Sequence, residues 1–434
     1  MKHITTTSFS LLCVGLGLAF SSLTSCKQEP PKLFDESALD RQEALSKELL
    51  TELTSSQHGW ILEYYPQSQQ TYGGYVMGLK FGGKNKVQSI SESPVTDVQT
   101  DTWTSSDFHI KNDKGVTLSF DTYSLPIHIF SDPDKSYGFG EGKSFEGDYE
   151  FTLSRPLTPD TIYLRGRKTL TEMRLIRAKQ DAKEYLASVQ ALKSKAYTAE
   201  TMYKLHLFGL EGTIGKKKVI AYLSEKGYNT MTVEEVDGGK KTFVPFICTP
   251  TGIRLYRPYE GVTDLTWDDA TKTYSSSMGD KLAGRRDPDY DGFTKYLGRY
   301  SMNCTSWSAP REVTFEQHAR NVYAIKGIAN GLTILAKYDP KNDRFEITTQ
   351  KVLTGATTVY LAAWVSGGSL SWGEGYGMYS KVDPTDPSGK RYILVDNGAW
   401  GNKCDSYILW VISKGRYTGF GGQLDFVKPT FTKL

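Results

Sequence analysis

The sequence predicts a mainly β protein, a β-rich α+β fold of antiparallel meander barrels or sandwiches with an N-terminal helix and one internal helix. Two observations predict this class. Short runs rich in Tyr, Val, Ile and Phe recur between Gly, Asn and Asp residues, as in antiparallel strands joined by turns. Only two segments repeat apolar residues at helical spacing. With 434 residues, 38% of them hydrophobic and 23% charged, the chain is long enough for two or three packed cores.

The first 25 residues have the layout of a secretory signal peptide. A short basic start precedes a mostly apolar run from Phe9 to Phe20. That run is shorter than the ~20 apolar residues that span a bilayer, and small residues rather than a basic cluster follow it. We therefore expect residues 1–25 to be cleaved rather than retained.

The cysteine after this leader is a candidate lipid attachment site. The stretch "LTSC", ending at Cys26, resembles a bacterial lipobox, in which the thiol of the new N-terminal residue is alkylated with diacylglycerol. At ~0.8 kcal/mol per buried methylene, two or three acyl chains would hold the mature protein at a membrane almost irreversibly. The alternative is an ordinary signal peptide with a chance cysteine. Residues 26–34, with their paired prolines, then form an extended tether.

Charge and cysteine content narrow the expected partners. Removing residues 1–25 takes away Lys2 and no acidic residue, so the formal net charge falls by one, from +3 to +2. Nucleic-acid binding needs a concentrated basic surface, so no nucleic-acid partner is expected.

Three other cysteines remain, without a CxxC pair: Cys248, Cys304 and Cys404. A disulfide between the last two is one alternative outside the cytosol, and single buried thiols are the other.

The predicted first domain, residues 35–285, begins with an amphipathic helix near 37–55, where Leu45, Leu49 and Leu53 recur every four residues. A second helix is predicted near 180–194. Between the helices, strands are predicted at "GWILEYY", "GGYVMGLKF", "KVQSISE", "GVTLSF", "DYEFTLSR", "TIYLRGR" and "LTEMRLIR". Further strands run to the turn-rich stretch "GRRDPDYDG", which we interpret as a domain boundary.

The predicted second domain, residues 286–434, is an antiparallel β domain of about seven strands. These strands are "REVTFEQ", "NVYAIKG", "LTILAKYD", "RFEITTQ", "TVYLAAWV", "RYILVDNG" and "SYILWVIS". A closed barrel and a sandwich would both bury their alternate side chains, so the pattern leaves these two architectures open.

One candidate binding site is acidic. In "DPDYDG" the alternate carboxylates Asp287, Asp289 and Asp291, followed by Gly292, fit the start of a calcium-binding loop. The twelfth position would be Gly298 instead of a bidentate glutamate, so a complete EF-hand does not fit. A calcium site and a solvated linker turn are therefore the alternatives, and Ca²⁺ is the one candidate cofactor.

The other candidate site is aromatic. Between Trp364 and Tyr379 the chain reads "WVSGGSLSWGEGYGMY", where Trp372, Tyr376 and Tyr379 stand on a glycine-rich segment. Such rings stack against sugar faces or anchor a partner protein. The alternative is that they fill a β core, in which Tyr and Trp are favoured. Without an HExxH or GxSxG motif in the sequence, we predict no catalytic residue.

Several of these stretches, taken together, resemble a known family. The lipobox, the helix "DESALDRQEALSKELLTEL" and the phrases "GWILEYYP", "VTLSFDTYSLPIHIFSDP" and "TIYLRGRK" are similar to Bacteroidetes-type envelope lipoproteins of the domain-of-unknown-function family 4302. The resemblance runs over the whole mature chain. It implies an accessory lipoprotein of an outer-membrane nutrient-uptake system, and it carries over no activity and no site residue.

The leading interpretation is therefore a lipid-anchored outer-membrane protein, facing the cell surface or the periplasm, that binds a glycan, a peptide or an outer-membrane protein. A polysaccharide hydrolase with an unrecognised carboxylate site is the first alternative, and a structural subunit of an outer-membrane assembly is the second. Carboxylates that converge in one cleft would favour the hydrolase. An open aromatic platform would favour sugar binding.

Overall fold

The computed structural model describes residues 37–434 except 96, 114, 135–141, 329–330, 354–357, 372, 402, 414–415 and 420–424; for 412–413 and 416–419 it describes the backbone alone. The described chain forms an open sheet, a first closed barrel, and a second closed barrel that carries an inserted sheet. Its named strands pair antiparallel throughout, so the predicted mainly β class is confirmed. Among the described residues, no helix combines the length and the apolar character needed to cross a membrane.

The N-terminal body is an open sheet of nine strands in the order β4-β3-β2-β1-β9-β8-β7-β6-β5. Helix α1 (Ala38–Ser55) starts with a capping box between Ser37 and Asp40, and Leu49 and Leu53 of this helix are buried. A short helix, α2 (Leu125–His128), follows the sixth strand. The strands are β1 (Trp60–Tyr64), β2 (Tyr75–Phe81), β3 (Lys86–Ser91), β4 (Thr104–Asp107), β5 (His109–Asn112), β6 (Val116–Ser119), β7 (Glu150–Leu153), β8 (Thr161–Gly166) and β9 (Glu172–Arg177).

Helix α3 (Ala182–Lys193) joins this sheet to the first barrel. Its N-cap is Asp181, whose carboxylate accepts a hydrogen bond from Lys183 N at 2.9 Å. Lys80 of β2 donates to the same carboxylate and holds the pKa of Asp181 below its usual range. Leu186 and Val189 are buried in an apolar core that continues from the sheet into the barrel. Both predicted helices, near 37–55 and 180–194, are confirmed.

The first barrel has eight strands in simple chain order, closed by the pairing of β10 with β17. Helix α4 (Ala199–Lys204) precedes the barrel and packs on β10. The strands are β10 (Leu207–Ile214), β11 (Lys217–Leu223), β12 (Thr230–Glu235), β13 (Lys241–Thr249), β14 (Gly252–Tyr259), β15 (Val262–Asp268), β16 (Thr273–Ser275) and β17 (Lys281–Arg286).

Helix α5 (Tyr290–Thr294) connects the two barrels, so the predicted boundary between residues 285 and 286 falls at the end of β17. The second barrel is closed by the pairing of β18 with β31. Its eight strands are β18 (Gly298–Asn303), β19 (Arg311–Ala319), β20 (Val322–Lys326), β21 (Ile334–Asp339), β22 (Arg344–Thr348), β26 (Gly377–Val382), β27 (Arg391–Asp396) and β31 (Thr430–Lys433).

A six-stranded sheet is inserted between strands of the second barrel and shares its apolar core. It consists of β23 (Gln350–Leu353), β24 (Thr358–Trp364), β25 (Leu370–Ser371), β28 (Ser406–Ser413), β29 (Arg416–Gly419) and β30 (Asp425–Val427). The C-terminal part is therefore a barrel with an additional sheet.

Cys304 and Cys404 are free, buried thiols, so the structure has no disulfide between them. Cys248 is also a free, buried thiol.

Candidate binding cleft between the barrels

A cavity of about 580 Å³ lies between the two barrels, and we refer to it as the interbarrel cleft. One wall consists of α4 and residues of β10 and β11 in the first barrel. The opposite wall consists of α5 and the hairpin between β19 and β20 of the second barrel. Ligand pockets of roughly 300–1,000 Å³ occur preferentially at such domain interfaces. The cleft is thus the main candidate site in the part of the chain that the structure describes.

The wall from the first barrel is aromatic. Phe208 of β10 and Tyr222 of β11 are half-buried, and their ring centroids are 5.0 Å apart. The pairing of β10 with β17 is irregular between Leu207 and Leu210, and Gly209 within this bulge has a φ of +87°. A bulge of this kind changes the direction of a side chain. It explains why Phe208 faces the cleft although its strand belongs to the barrel.

Arg320 provides the polar centre of the opposite wall. Its Cζ lies 3.6 Å from the centroid of the Phe208 ring, in a cation–π arrangement. Nε and Nη2 donate to the Asp287 carboxylate at 2.7 and 2.9 Å, and Nη2 also donates to Asp289 at 2.5 Å. The two N–H groups of Nη1 have no partner among the described residues. They remain for a ligand, on a side chain that is 28% exposed.

The segment between the barrels completes the cleft. The ring of His206 stacks on Tyr290 with centroids 3.9 Å apart, and its Nε2 lies 3.0 Å from the Tyr290 hydroxyl. The backbone carbonyl of His206 accepts a hydrogen bond from Asp287 N at 3.0 Å. These contacts hold the segment with α5 against the start of the first barrel. Nδ1 of His206 is buried without a hydrogen-bond partner in the described part of the chain.

The predicted calcium residues do not converge on one point. Asp287 and Asp289 meet at Arg320, whereas Asp291 pairs with Arg286 at 2.5 Å and its side chain is 80% exposed. Among the described residues, no group of three or more His, Cys, Asp or Glu side chains could hold a metal ion. The arrangement is an ion pair between the barrels, and a calcium site stays a prediction that this geometry does not favour.

The predicted aromatic site is divided. Tyr376 is half-buried and lies parallel to Trp400, with centroids 5.8 Å apart and an interplanar angle of 5°. Tyr379 lies on β26, and the guanidinium of Arg344 stands 3.8 Å from its ring centroid. The two tyrosines thus have different partners. Two other predicted site residues, Trp372 and Cys26, fall outside the described residues.

Sequence reasoning selected Asp287, as a calcium ligand, but missed the other residues that form the cleft. Tyr290 lies inside the stretch interpreted as a calcium loop, and this is the one signal that the sequence offered. Nothing in the sequence places Asp287 against Arg320, because the two are 33 residues apart and meet only through the β19–β20 hairpin. Phe208 ends the stretch "TMYKLHLF", which the sequence predicts as one strand, but residues 201–204 belong to helix α4 and β10 begins only at Leu207. The bulge in β10 has no sequence signature other than Gly209.

The fold defines a class: an antiparallel protein of an open sheet and two closed barrels, with a cleft between the barrels. The chain belongs to the family described as domain of unknown function (DUF4302), whose model matches residues 31–269, more than half of the chain. The predicted membership of this family is confirmed, but the match ends at residue 269 and does not run over the whole mature chain. A second model, described as a domain of unknown function (DUF4987), matches residues 273–410. Searches of curated proteins and of solved structures gave no match.

The two family matches divide the chain at a different place from the fold. The first match ends at residue 269 and the second begins at residue 273. This division falls between β15 and β16, inside the closed first barrel. The C-terminal strands of the first barrel therefore belong to the second match, so the two matched regions share one barrel.

Proposed function

We propose that the chain is a lipid-anchored cell-envelope protein that binds a glycan in the interbarrel cleft, without catalysis, as an accessory protein of an outer-membrane nutrient-uptake system. The observation that carries the binding proposal is Arg320, whose Cζ lies 3.6 Å from the Phe208 ring centroid and whose Nη1 has no partner among the described residues. The membrane anchor depends on the lipobox that ends at Cys26. The uptake role depends on the family resemblance.

The chemistry of the cleft suits a sugar. A pyranose ring has apolar C–H faces and a rim of hydroxyl groups. The rings of Phe208 and Tyr222 supply apolar surface, and Nη1 of Arg320 supplies two N–H donors for hydroxyl oxygens. Sites that bind small ligands specifically are typically apolar, with a small number of polar groups at fixed positions.

The interbarrel cleft is less suited to binding a peptide. Extended peptides gain affinity mainly by adding a strand to an exposed sheet edge. Both walls of the cleft belong to closed barrels, and closure removes strand edges. The cleft therefore offers side chains rather than a backbone ladder, which favours a glycan over a peptide.

The same contacts argue against hydrolysis. Most glycosidases use two carboxyl groups, one of which must be protonated to act as a general acid. Asp287 and Asp289 converge at the cleft, but three of their four carboxylate oxygens already accept hydrogen bonds from Arg320. A binding role therefore fits these carboxylates better than acid–base catalysis does.

Glycan and peptide arrays with residues 32–434, which contain every described element, test the proposal. Tyr222→Ala should weaken binding of the best glycan roughly tenfold or more, about 1.4 kcal/mol, by calorimetry. The matched control is Tyr163→Ala, since Tyr163 is a half-buried strand tyrosine in contact with Arg155, on the nine-stranded sheet. Its binding should be unchanged. Release of products from the same glycans would replace the proposal with the hydrolase, and silence on both arrays would favour the structural subunit.

The anchor has a separate test. Mass spectrometry of the mature N-terminus should find an acylated Cys26, and Cys26→Ser should move the protein from the membrane fraction to the soluble fraction. An unmodified N-terminal cysteine or a retained leader would contradict the anchor and leave the cleft proposal intact.

A further inference from the structure

A second cavity, of about 380 Å³, lies at the end of the first barrel, beside α3 and α4, and we call it the barrel-mouth cavity. Its apolar surface includes three aromatic side chains from three parts of the barrel region, Tyr228, Phe246 and Tyr274. An eight-stranded barrel is just wide enough to be filled by side chains or to hold one small ligand. This barrel is incompletely filled at one end.

The polar lining of the barrel-mouth cavity resembles that of the cleft. Lys193 donates to Glu92 Oε1 at 2.6 Å, and its other two N–H groups have no partner among the described residues. Burial alone would lower the pKa of Lys193, but the Glu92 carboxylate raises it above its usual value. Lys193 is therefore a charged donor already neutralised by a carboxylate, as Arg320 is in the cleft.

The two cavities share four lining residues, which are Ala199, Glu200, Leu223 and Gly227. Gly227 stands in the loop between β11 and β12, and nothing lies within 4 Å of the position that a Cβ would take there. The shared lining residues place the two cavities next to each other, and no side chain or backbone fills the space beside Gly227. The geometry points to one continuous groove rather than two separate sites.

We propose that the interbarrel cleft and the barrel-mouth cavity form a single groove for a linear, neutral oligosaccharide of at least two sugar units. This inference rests on the glycan binding proposed above and extends it to ligand length and charge. Both cavities combine aromatic surface with a cation whose spare N–H groups are unpaired among the described residues. Each unit of an oligosaccharide has an apolar face and a rim of hydroxyl groups. Each cavity has the matching groups, aromatic rings for the apolar face and N–H donors for the hydroxyl oxygens.

The charge of the groove indicates a neutral ligand. Arg320 faces two carboxylates, Asp287 and Asp289, so this cluster carries a net charge of −1. Lys193 and Glu92 together are neutral. The groove thus offers N–H donors without excess positive charge, which an acidic sugar would need to offset its desolvation.

Calorimetry with gluco-, manno- and xylo-oligosaccharides of one to six units, and with oligogalacturonate of the same lengths, tests this groove. For the neutral series that binds, affinity should rise at least tenfold between one unit and three, and oligogalacturonate should bind at least tenfold more weakly. Equal affinity for one and three units would overturn the groove while leaving the cleft proposal standing. Failure of all four series to bind would contradict both.

A substitution in the wall shared by the two cavities tests whether the rise of affinity with ligand length depends on their connection. Ala199→Phe should abolish the gain in affinity between one sugar unit and three. The control is Ala191→Phe, because Ala191 is an exposed alanine on α3 that does not line either cavity. Retention of the length dependence in the Ala199→Phe protein would contradict a continuous groove.

Cys248 gives a readout in the unsubstituted protein, since this residue lines the barrel-mouth cavity. The six-unit member of the binding series should slow the alkylation of Cys248 by iodoacetamide at least fivefold. A single sugar unit should not slow it. Cys304 and Cys404 are internal controls because they are buried in the core of the second barrel. Undiminished alkylation of Cys248 at saturating hexasaccharide would overturn the proposal.

Discussion

The two barrels have the same number of strands but differently filled interiors. The first barrel buries mainly aliphatic side chains, such as Val219, Leu265 and Leu282, and has a cavity at one end. The second barrel is filled with aromatic rings in mutual contact, among them Tyr296, Tyr300, Phe315, Tyr323, Phe345, Tyr392 and Phe431. The inward-facing residues, rather than the strand number, therefore decide how completely a barrel of eight strands is filled.

The barrels also differ in how they are attached. The first barrel shares an apolar core with the N-terminal sheet through helix α3, and Glu63 of that sheet lies between Arg174 and Arg254. The second barrel has its own core and meets the first through the ion pair of Arg320 with Asp287. The N-terminal sheet and first barrel are thus one packed unit, which makes the interbarrel cleft the natural place for a change in domain spacing.

The largest predicted effect concerns ring packing. Phe345 is fully buried and contacts four other rings, so Phe345→Ala should lower the free energy of unfolding by about 3–5 kcal/mol. Phe246 lines the barrel-mouth cavity, so Phe246→Ala should cost at least ~1 kcal/mol less, because part of its surroundings is already empty. Urea unfolding, followed by hydrogen exchange in each barrel separately, measures the loss of unfolding free energy in both variants. Equal losses would contradict the difference in filling.

A smaller loss of stability is expected when the ion pairs between the N-terminal sheet and the first barrel are broken. Glu63→Gln leaves Arg174 on β9 and Arg254 on β14 without their shared carboxylate, and should cost about 2–3 kcal/mol. The cost is below that of a fully buried pair, because the two arginine side chains are 37% and 29% exposed. Glu200→Gln, which removes an exposed pair with Lys204, is the control and should leave the unfolding curve unchanged. Loss of stability in the second barrel alone would contradict this attachment.

A smaller effect is expected from a glycine at the same interface. A Cβ on Gly74 would lie 2.7 Å from the Tyr65 ring and 2.8 Å from Ile247 Cβ, so Gly74→Ala should cost about 1–3 kcal/mol by overpacking. A Cβ on Gly83 would have nothing within 4 Å of it, so Gly83→Ala should change the unfolding free energy by less than ~0.5 kcal/mol. Thermal unfolding compares the two variants. A tolerated Gly74→Ala would mean that the sheet and the first barrel are loosely joined.

Local patterns in the sequence predicted most strands and both long helices, because alternation and four-residue repeats report directly on one buried face. Strands β4 and β5, "TSSD" and "HIKN", were missed since they are short and mostly polar. The closure of β10 on β17 joins Leu210 to Gly284, and nothing in either strand specifies that partner. A barrel and a sandwich give the same alternation, so only the pairing distinguishes them.

The candidate site was less predictable than the fold for the same reason. Asp287 and Asp289 were selected as carboxylates with metal-ligand spacing, but a ligand loop and an arginine clamp use the same residues. What distinguishes them is Arg320, which arrives from a hairpin of the other barrel. Aromatic residues gave no better guidance, because Phe208 and Tyr222 at the cleft look like any strand residues in the sequence.

The smallest perturbation, thiol alkylation, compares the two interiors without changing a residue. Burial raises the pKa of Cys248 to about 11 and that of Cys404 to about 11. The thiolate is the reactive form, so both rates should rise about tenfold per pH unit between pH 7 and 10. Because burial raises both pKa values to about 11, a large difference in rate reports access rather than thiolate fraction. We expect iodoacetamide to label Cys248, which lines a cavity, at least tenfold faster than Cys404, measured by mass spectrometry of the two peptides. Equal rates would mean that the first barrel is as tightly filled as the second.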